Sequence, residues 1–179
     1  MLTAKILLAY LLNTANVVGI DVDTSKIDLD QALCLAENIY YEARNEDIRG
    51  QFAVASVTLN RANDERFPNT ICEVVEQTAI SRITKKVVCA FSWYCENDKK
   101  GKEIPVNNKD GSINQRVVDQ FQLASLIAIE VIGGNVSDNT DGSTHFHNPY
   151  TSHPAWCNEL KKTMKIGNHA FYKLPPEKE

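Results

Sequence analysis

The stretch NIYYEARNEDIRGQFAVASVTLNR, residues 38–61, decides how this chain folds. It reads as two helices joined by a turn. Upstream, Asp28 and Gln31 have the spacing of a capping box, which predicts a helix over 28–44. Within it Leu35, Ile39 and Glu42 are spaced four and three apart and share one face, whereas Glu37 lies on another. After NEDIRG, read as a turn, a second helix is predicted over 51–62. There Phe52, Ala55, Ser56 and Leu59 form one stripe, and Val54, Val57 and Thr58 a second. A helix apolar on most sides belongs in a core. Glu42 is the anomaly, because a desolvated carboxyl resists ionisation. Two readings stand. Either Arg44, Arg49 or Arg61 pairs with it, or it is kept protonated near neutrality to donate a proton to a leaving oxygen.

Outward from this pair, RFPNTICEVVEQ has a proline break followed by a short helix capped by Asn69 or Thr70. Residues 78–115 read as loop-rich. A third long helix is predicted over 116–132, with Val117, Phe121, Ala124, Ala128 and Val131 inward and Gly133-Gly134 ending it. The stretch THFHNPYTSHPAWCNEL is irregular and aromatic, and TMKIGNHAFYKL reads as a hairpin turning at Gly167-Asn168. The pattern predicts one α+β domain, mainly α-helical, over 28–174, with no internal repeat and a disordered tail over 175–179. The N-terminal MLTAKILLAYLLNTANVVGID is too short and interrupted to cross a membrane. It reads either as a signal peptide ending at Gly19 or as an amphipathic helix packed on the domain.

A net charge of −4 argues against a broad nucleic-acid footprint. The charge is uneven, with Arg82, Lys85, Lys86, Lys99, Lys100 and Lys102 set against only Glu96 and Asp98 over 82–102. That segment is either a solvated loop or a contact for an anionic surface. Of the five cysteines, Cys34 reads as a small buried apolar residue in the first helix. Cys72, Cys89, Cys95 and Cys157 are expected to form two disulfides in any of three pairings, which implies an oxidising compartment.

The ordered motif Glu42-Ala43-Arg44, Glu46, Gly50-Gln51, Ala53-Val54-Ala55, Val57, Leu59-Asn60-Arg61, then Phe67-Pro68-Asn69-Thr70-Ile71 and Phe91-Ser92-Trp93, resembles the SleB-type cell wall hydrolases, related to spore-cortex-lytic enzymes. The C-terminal HFHNPY…PAW…KIGNHAFY is similar to the closing motif of that family, so the resemblance runs over about residues 30–172. It implies a lysozyme-like, lytic-transglycosylase-like fold. It also implies cleavage of peptidoglycan between N-acetylmuramic acid and N-acetylglucosamine, with Glu42 as the catalytic acid. Two departures stand out: Asn45 occupies a place where the family has glycine, and TAISRITKKVV is longer than usual.

A lytic transglycosylase needs one carboxyl group. Glu42 protonates the glycosidic oxygen, the C6 hydroxyl of the sugar attacks C1, and the carboxylate takes that proton. A hydrolytic muramidase needs a second carboxylate, for which Glu46 and Asp47 are nearest. Expected substrate contacts are Gln51, orienting Glu42 or the sugar, Ser92 on an acetamido group, and Trp93 as a stacking platform rather than a core plug. His147 and Asn148 are expected as polar lining across from Glu42. Tyr172 faces either cleft or core, and Trp156 reads as core packing. His145 and His147, joined by His169 or a cysteine, permit a rival zinc amidase, although no H-E-x-x-H exists and His169 reads more simply as a structural hydrogen bonder. A wall-binding module without catalysis is the non-enzymatic rival. The expected partner is the peptidoglycan glycan strand, bound by a monomer without cofactor, metal, nucleic acid or membrane insertion. The expected setting is the periplasm or exterior if the leader is cleaved, and otherwise a phage protein acting on its host's wall.

Overall fold

The computed structural model describes residues 2–14, 23, 25, 27–81, 84–96 and 104–176. Helix α1 (Ala4–Thr14) is followed by α2 (Leu29–Ala43), α3 (Ile48–Ala62) and α4 (Ile71–Glu76). A small hairpin, β1 (Thr78–Ile80) and β2 (Val87–Cys89), leads to the short α5 (Ser92–Cys95) and then to α6 (Gln115–Ile132). The C-terminal part holds β3 (His145–His147), a 3₁₀ turn (Ala155–Asn158), β4 (Lys161–Ile166) and β5 (His169–Lys173).

Helix α2 is the hub and packs on α1, α3, α4 and α6. It starts at Asp28, whose side chain accepts from the backbone N–H groups of Asp30 and Gln31. The rest of the expected capping box is absent. The Gln31 side-chain oxygen instead accepts from the Cys72 N–H at 3.1 Å and ties α2 to α4. Helix α3 begins at Ile48, earlier than expected, because Asp47 caps it by accepting from Gly50 N–H at 2.8 Å. Asn45 sits in a turn that closes through Glu46 N–H on Ala43 O. Among the described residues only Lys85 and Asp141 are non-glycines with positive φ, so this turn needs no glycine at 45. Helix α4 is capped by Thr70, and α6 starts from Asn114.

The three-stranded antiparallel sheet has the order β3-β5-β4. It packs on α3 through Ala53, Val57, Ile166 and Phe171. The β4–β5 turn falls at Gly167-Asn168 as the sequence predicts, and Gly167 takes φ +55°. The loop-rich reading of 78–115 is corrected by the β1–β2 hairpin and α5. That hairpin holds the longer TAISRITKKVV segment and exposes Ile80 and Val87.

The disulfides are Cys34–Cys72 and Cys89–Cys95, and Cys157 is free. Cys34 is therefore a cross-link from α2 to α4 rather than a small apolar filler. Helix α1 buries Leu7, Leu8 and Leu11 and packs on α2 and α6. Residues 15–22, with the cleavage position considered at Gly19, lie outside the described residues, as do Arg82, Lys99, Lys100, Lys102 and 177–179. Pro175, placed in the tail by sequence, is held by its carbonyl, which accepts from Arg66 Nη1 at 2.8 Å. No helix among the described residues is long and apolar enough to cross a membrane.

Candidate active site

Glu42 opens into a cavity of about 320 Å³. Helix α2 supplies Glu42 and α3 supplies Arg61. Ala90, Phe91 and Ser92 form one wall, and Phe146, His147 and Asn148 a second. Residues 151, 152 and 154 and His169 complete the lining. A larger hollow of about 790 Å³ lies past the end of α3, lined by Asn63, Asp64, Glu65, Phe67 and Glu73 among others. Its Asp64 is held below the usual carboxylate range by hydrogen bonds from Arg66, so it offers an ionised charge rather than an acid. The chemistry therefore points to the smaller cavity.

Burial pushes the Glu42 carboxyl up to about 7. The charge of Arg61 pulls it down and that of Glu96 adds to the rise, and burial outweighs both. Among the described residues nothing hydrogen-bonds the Glu42 carboxyl and no ion pair reaches it. Arg44, one expected partner, donates weakly to the carbonyls of Tyr40 and Tyr41 and stacks over Tyr40. Arg49 is exposed. Arg61 shares the cavity but donates Nε–H to Thr144 O at 2.6 Å and lies over Phe91. Burial lowers Arg61 to about 10, partly offset by Glu42. The guanidinium thus biases Glu42 without neutralising it.

A buried polar chain fixes the backbone under Glu42. Trp93 donates its indole N–H to Asn38 Oδ1 at 2.8 Å, and Asn38 donates to Thr58 Oγ1 at 3.0 Å. Thr58 in turn donates to Val54 O. Asn38 lies one turn before Glu42, so α2, α3 and α5 are locked together next to the acid. Trp93 is 7% exposed and stacks on Tyr41 at 4.5 Å. It is a core plug and not the expected stacking platform, because both its face and its N–H are used internally. Trp156, read as core, is only partly buried and packs beside His145, His147 and Tyr172.

Gln51 is buried and donates to Glu46 O at 3.2 Å; it holds the α2–α3 turn and does not line the cavity. Glu46 is engaged by Asn168. Asp47 is spent as the α3 cap. Ser92 is exposed on the cavity wall. His147 lines the cavity, with Nδ1 2.9 Å from Ser152 O and Nε2 3.2 Å from the Tyr172 hydroxyl. A carbonyl only accepts, so Nδ1 carries the ring proton and Nε2 accepts from Tyr172. Tyr172 is buried and is not part of the cavity lining; its hydroxyl bonds His147, which is. Asn148 lines the cavity.

Among the described residues no three His, Cys, Asp or Glu side chains cluster as a metal site. His145, considered as a ligand, is lowered to about 4, by burial first and then by Arg61 and Arg66. His169 corrects a second reading. It is buried and lines the cavity, and among the described residues its Nδ1 has no hydrogen-bond partner. Phe146 has no assigned role in the sequence reading, and Arg61 appears there as a motif residue and a partner for Glu42 but not as cavity lining. Both had a signal: Phe146 lies between two quoted histidines, and Arg61 ends the opening motif.

A family model described as Cell Wall Hydrolase matches residues 45–172, beginning just past Glu42. The spore cortex-lytic enzyme of Bacillus subtilis (strain 168) is 28% identical over 138 residues, covering 76% of this chain and 35% of that protein. That of Halalkalibacterium halodurans is 28% identical over 138 residues, covering 76% of this chain and 33% of that protein. The chain thus spans about a third of the length of these curated relatives. Among solved structures, the catalytic domain of the germination-specific lytic transglycosylase SleB from Bacillus anthracis aligns with TM-score 0.56 and 28% identity, over 83% of this chain and 98% of that one. The catalytic domain of the Bacillus cereus SleB protein aligns with TM-score 0.52 and 28% identity, over 80% and 91%. The helical hub with its small sheets is the lysozyme-like α+β fold of these neighbours, and by the extent of the family match this chain belongs to the cell wall hydrolase family, of SleB type.

Proposed function

We propose that this protein degrades peptidoglycan by cleaving the bond between N-acetylmuramic acid and N-acetylglucosamine as a lytic transglycosylase. One observation carries the reading: among the described residues, Glu42 is the only carboxyl lining its cavity, and burial raises it to about 7. A carboxyl at that value is substantially protonated at neutral pH and can donate to the glycosidic oxygen. Once ionised, with Arg61 nearby, it accepts the proton of the C6 hydroxyl as that oxygen attacks C1. The product is a 1,6-anhydro sugar. Inverting hydrolysis requires a second carboxylate to activate water, and a retaining mechanism requires one as nucleophile. Glu46 and Asp47, nearest in sequence, are committed to Asn168 and to the α3 cap.

The protein acts on glycan strands as a monomer and without cofactor. Its two disulfides suit the oxidising space outside the cytoplasm, where a bacterial remodelling enzyme or a phage lysis protein meets the wall. The test is mass spectrometry of fragments released from purified peptidoglycan by wild type and by Glu42→Gln. Anhydro-muropeptides from wild type and none from the variant are expected. Reducing-end muropeptides mean hydrolysis. Free stem peptides, or a fully active variant, overturn the glycosidase reading.

A further inference from the structure

Two side chains on the cavity wall hold unused N–H donors. Asn148 Oδ1 accepts from Tyr150 N–H at 2.9 Å. A backbone N–H only donates, so that amide atom is the oxygen, and the NH₂ end is left without a partner among the described residues. The loop is braced, because the Asn148 carbonyl accepts from the N–H groups of Thr151 and Ser152.

His169 is 7% exposed, and its Nδ1 is buried without a partner among the described residues. Nδ1 lacks a partner in either tautomer, and a buried orphan N–H is the rarer of the two, so the neutral ring is assigned its proton on Nε2, where the cavity can meet it. Nε2 is neither bonded nor enclosed among the described residues, and the ring lines the cavity. Burial keeps this histidine below its usual range; His147 adds to that and Glu46 opposes it. His147 has both nitrogens occupied and has no donor to spare. The β3–β5 pairing ends at His147 and Ala170, Asn148 and His169 are the residues just beyond that last pair, and both line the cavity.

We propose that His169 and Asn148 form a two-donor clamp for an amide carbonyl of the substrate, the acetamido group of a sugar beside the scissile bond. The proposal rests on the glycan-cleaving reading of the same cavity. An amide oxygen has two lone pairs and accepts from both donors. The shared chemistry, an amide carbonyl, also occurs in stem peptides, and the test separates the two sources.

Affinity is measured by calorimetry on Glu42→Gln protein, which binds without turnover, with and without His169→Phe, His169→Gln or Asn148→Ala. The probes are soluble glycan strands, acetylated or chemically de-N-acetylated, each with stem peptides or stripped of them. Expected is at least a tenfold weaker Kd for acetylated strands on His169→Phe, with or without stems, and no change for de-N-acetylated strands. His169→Gln, which keeps an N–H, recovers part of the loss, and Asn148→Ala repeats it with the wall sequence otherwise intact. An acetylated-to-de-N-acetylated ratio unchanged in both His169→Phe and Asn148→Ala overturns the clamp. A loss seen only when stems are present overturns the acetamido assignment. A Glu42→Gln protein that still cleaves strands overturns the underlying reading instead.

Discussion

Glu46 accepts two hydrogen bonds from Asn168, one from its backbone N–H at 3.0 Å and one from its side-chain amide at 2.9 Å. The contact joins the α2–α3 turn to the β4–β5 turn across most of the chain. A Cβ on Gly167 would collide with the same carboxylate, and Gly167 also has the positive φ that other residues resist. The carboxylate next in line after Glu42 thus serves as the peg that seats His169 on the cavity.

Glu46→Gln should therefore keep the product profile and lose stability. The loss expected is about 1–2 kcal/mol, since hydrogen bonds to a charged group are stronger than neutral ones. Urea unfolding of Glu46→Gln, Asn168→Ala and the double variant measures it, and a coupling energy near zero would sink the peg. Reducing-end products made by wild type and lost in Glu46→Gln would return Glu46 to the chemistry.

Glu42 must start protonated to act as an acid. Its carboxyl is raised to about 7, first by burial. kcat/KM on soluble glycan should accordingly fall above about pH 7 with a slope of one proton, because that limb reports the free enzyme. A profile flat from pH 5 to 9 would mean that Glu42 is not the proton donor.

The same burial makes ionised Glu42 a cost to the fold. Its folded value, about 7, lies above the ordinary 4.5, so the folded state holds the proton more tightly. No penalty exists below the ordinary value. The penalty grows as pH rises through that window and is complete above the folded value. Glu42→Gln does not titrate, so its stability relative to wild type should rise from pH 4 to pH 8. At about 1.36 kcal/mol per unit the gain is at most about 3 kcal/mol, and solvent at the partly exposed carboxyl reduces it. Thermal unfolding at the two pH values checks the sign.

Arg61 lowers Glu42 and is lowered itself to about 10 by burial. Arg61→Met removes that charge, so the basic limb of the rate profile should move to higher pH. The Thr144 carbonyl loses its donor, which costs about 1–3 kcal/mol of stability. A limb that moves down or stays fixed would show that the two side chains are not coupled.

Much of the helical frame was legible because its signals are local. Asp28, Thr70 and Gly133-Gly134 mark helix ends through nearby backbone, and Glu42 stood out because it breaks an apolar face. What was missed depends on distant partners. The Asp47 cap was absorbed into a turn reading of NEDIRG. Cys34 looks like a helical filler until α4 brings Cys72 beside it. Trp93, in a motif that points it to a sugar, is shown as a core residue only when Asn38 takes its N–H. For His169 the informative fact is a missing partner, which residue spacing does not record.

The two disulfides should separate stability from activity. Cys34–Cys72 spans 38 residues and joins α2 to α4, away from the cavity. By the loop-entropy relation its removal costs about 4 kcal/mol, against about 2 kcal/mol for a bridge spanning 6 residues such as Cys89–Cys95. The shorter loop, however, encloses Ala90, Phe91 and Ser92, one wall of the site. Cys34→Ala/Cys72→Ala should accordingly lower Tm the more, with kcat/KM nearly unchanged where the protein stays folded. Cys89→Ala/Cys95→Ala should lower Tm less and kcat/KM by tenfold or more, since a loosened wall misplaces substrate against Glu42. Paired melting curves and rates decide it, and equal activity in both variants would show that the wall stands without its bridge.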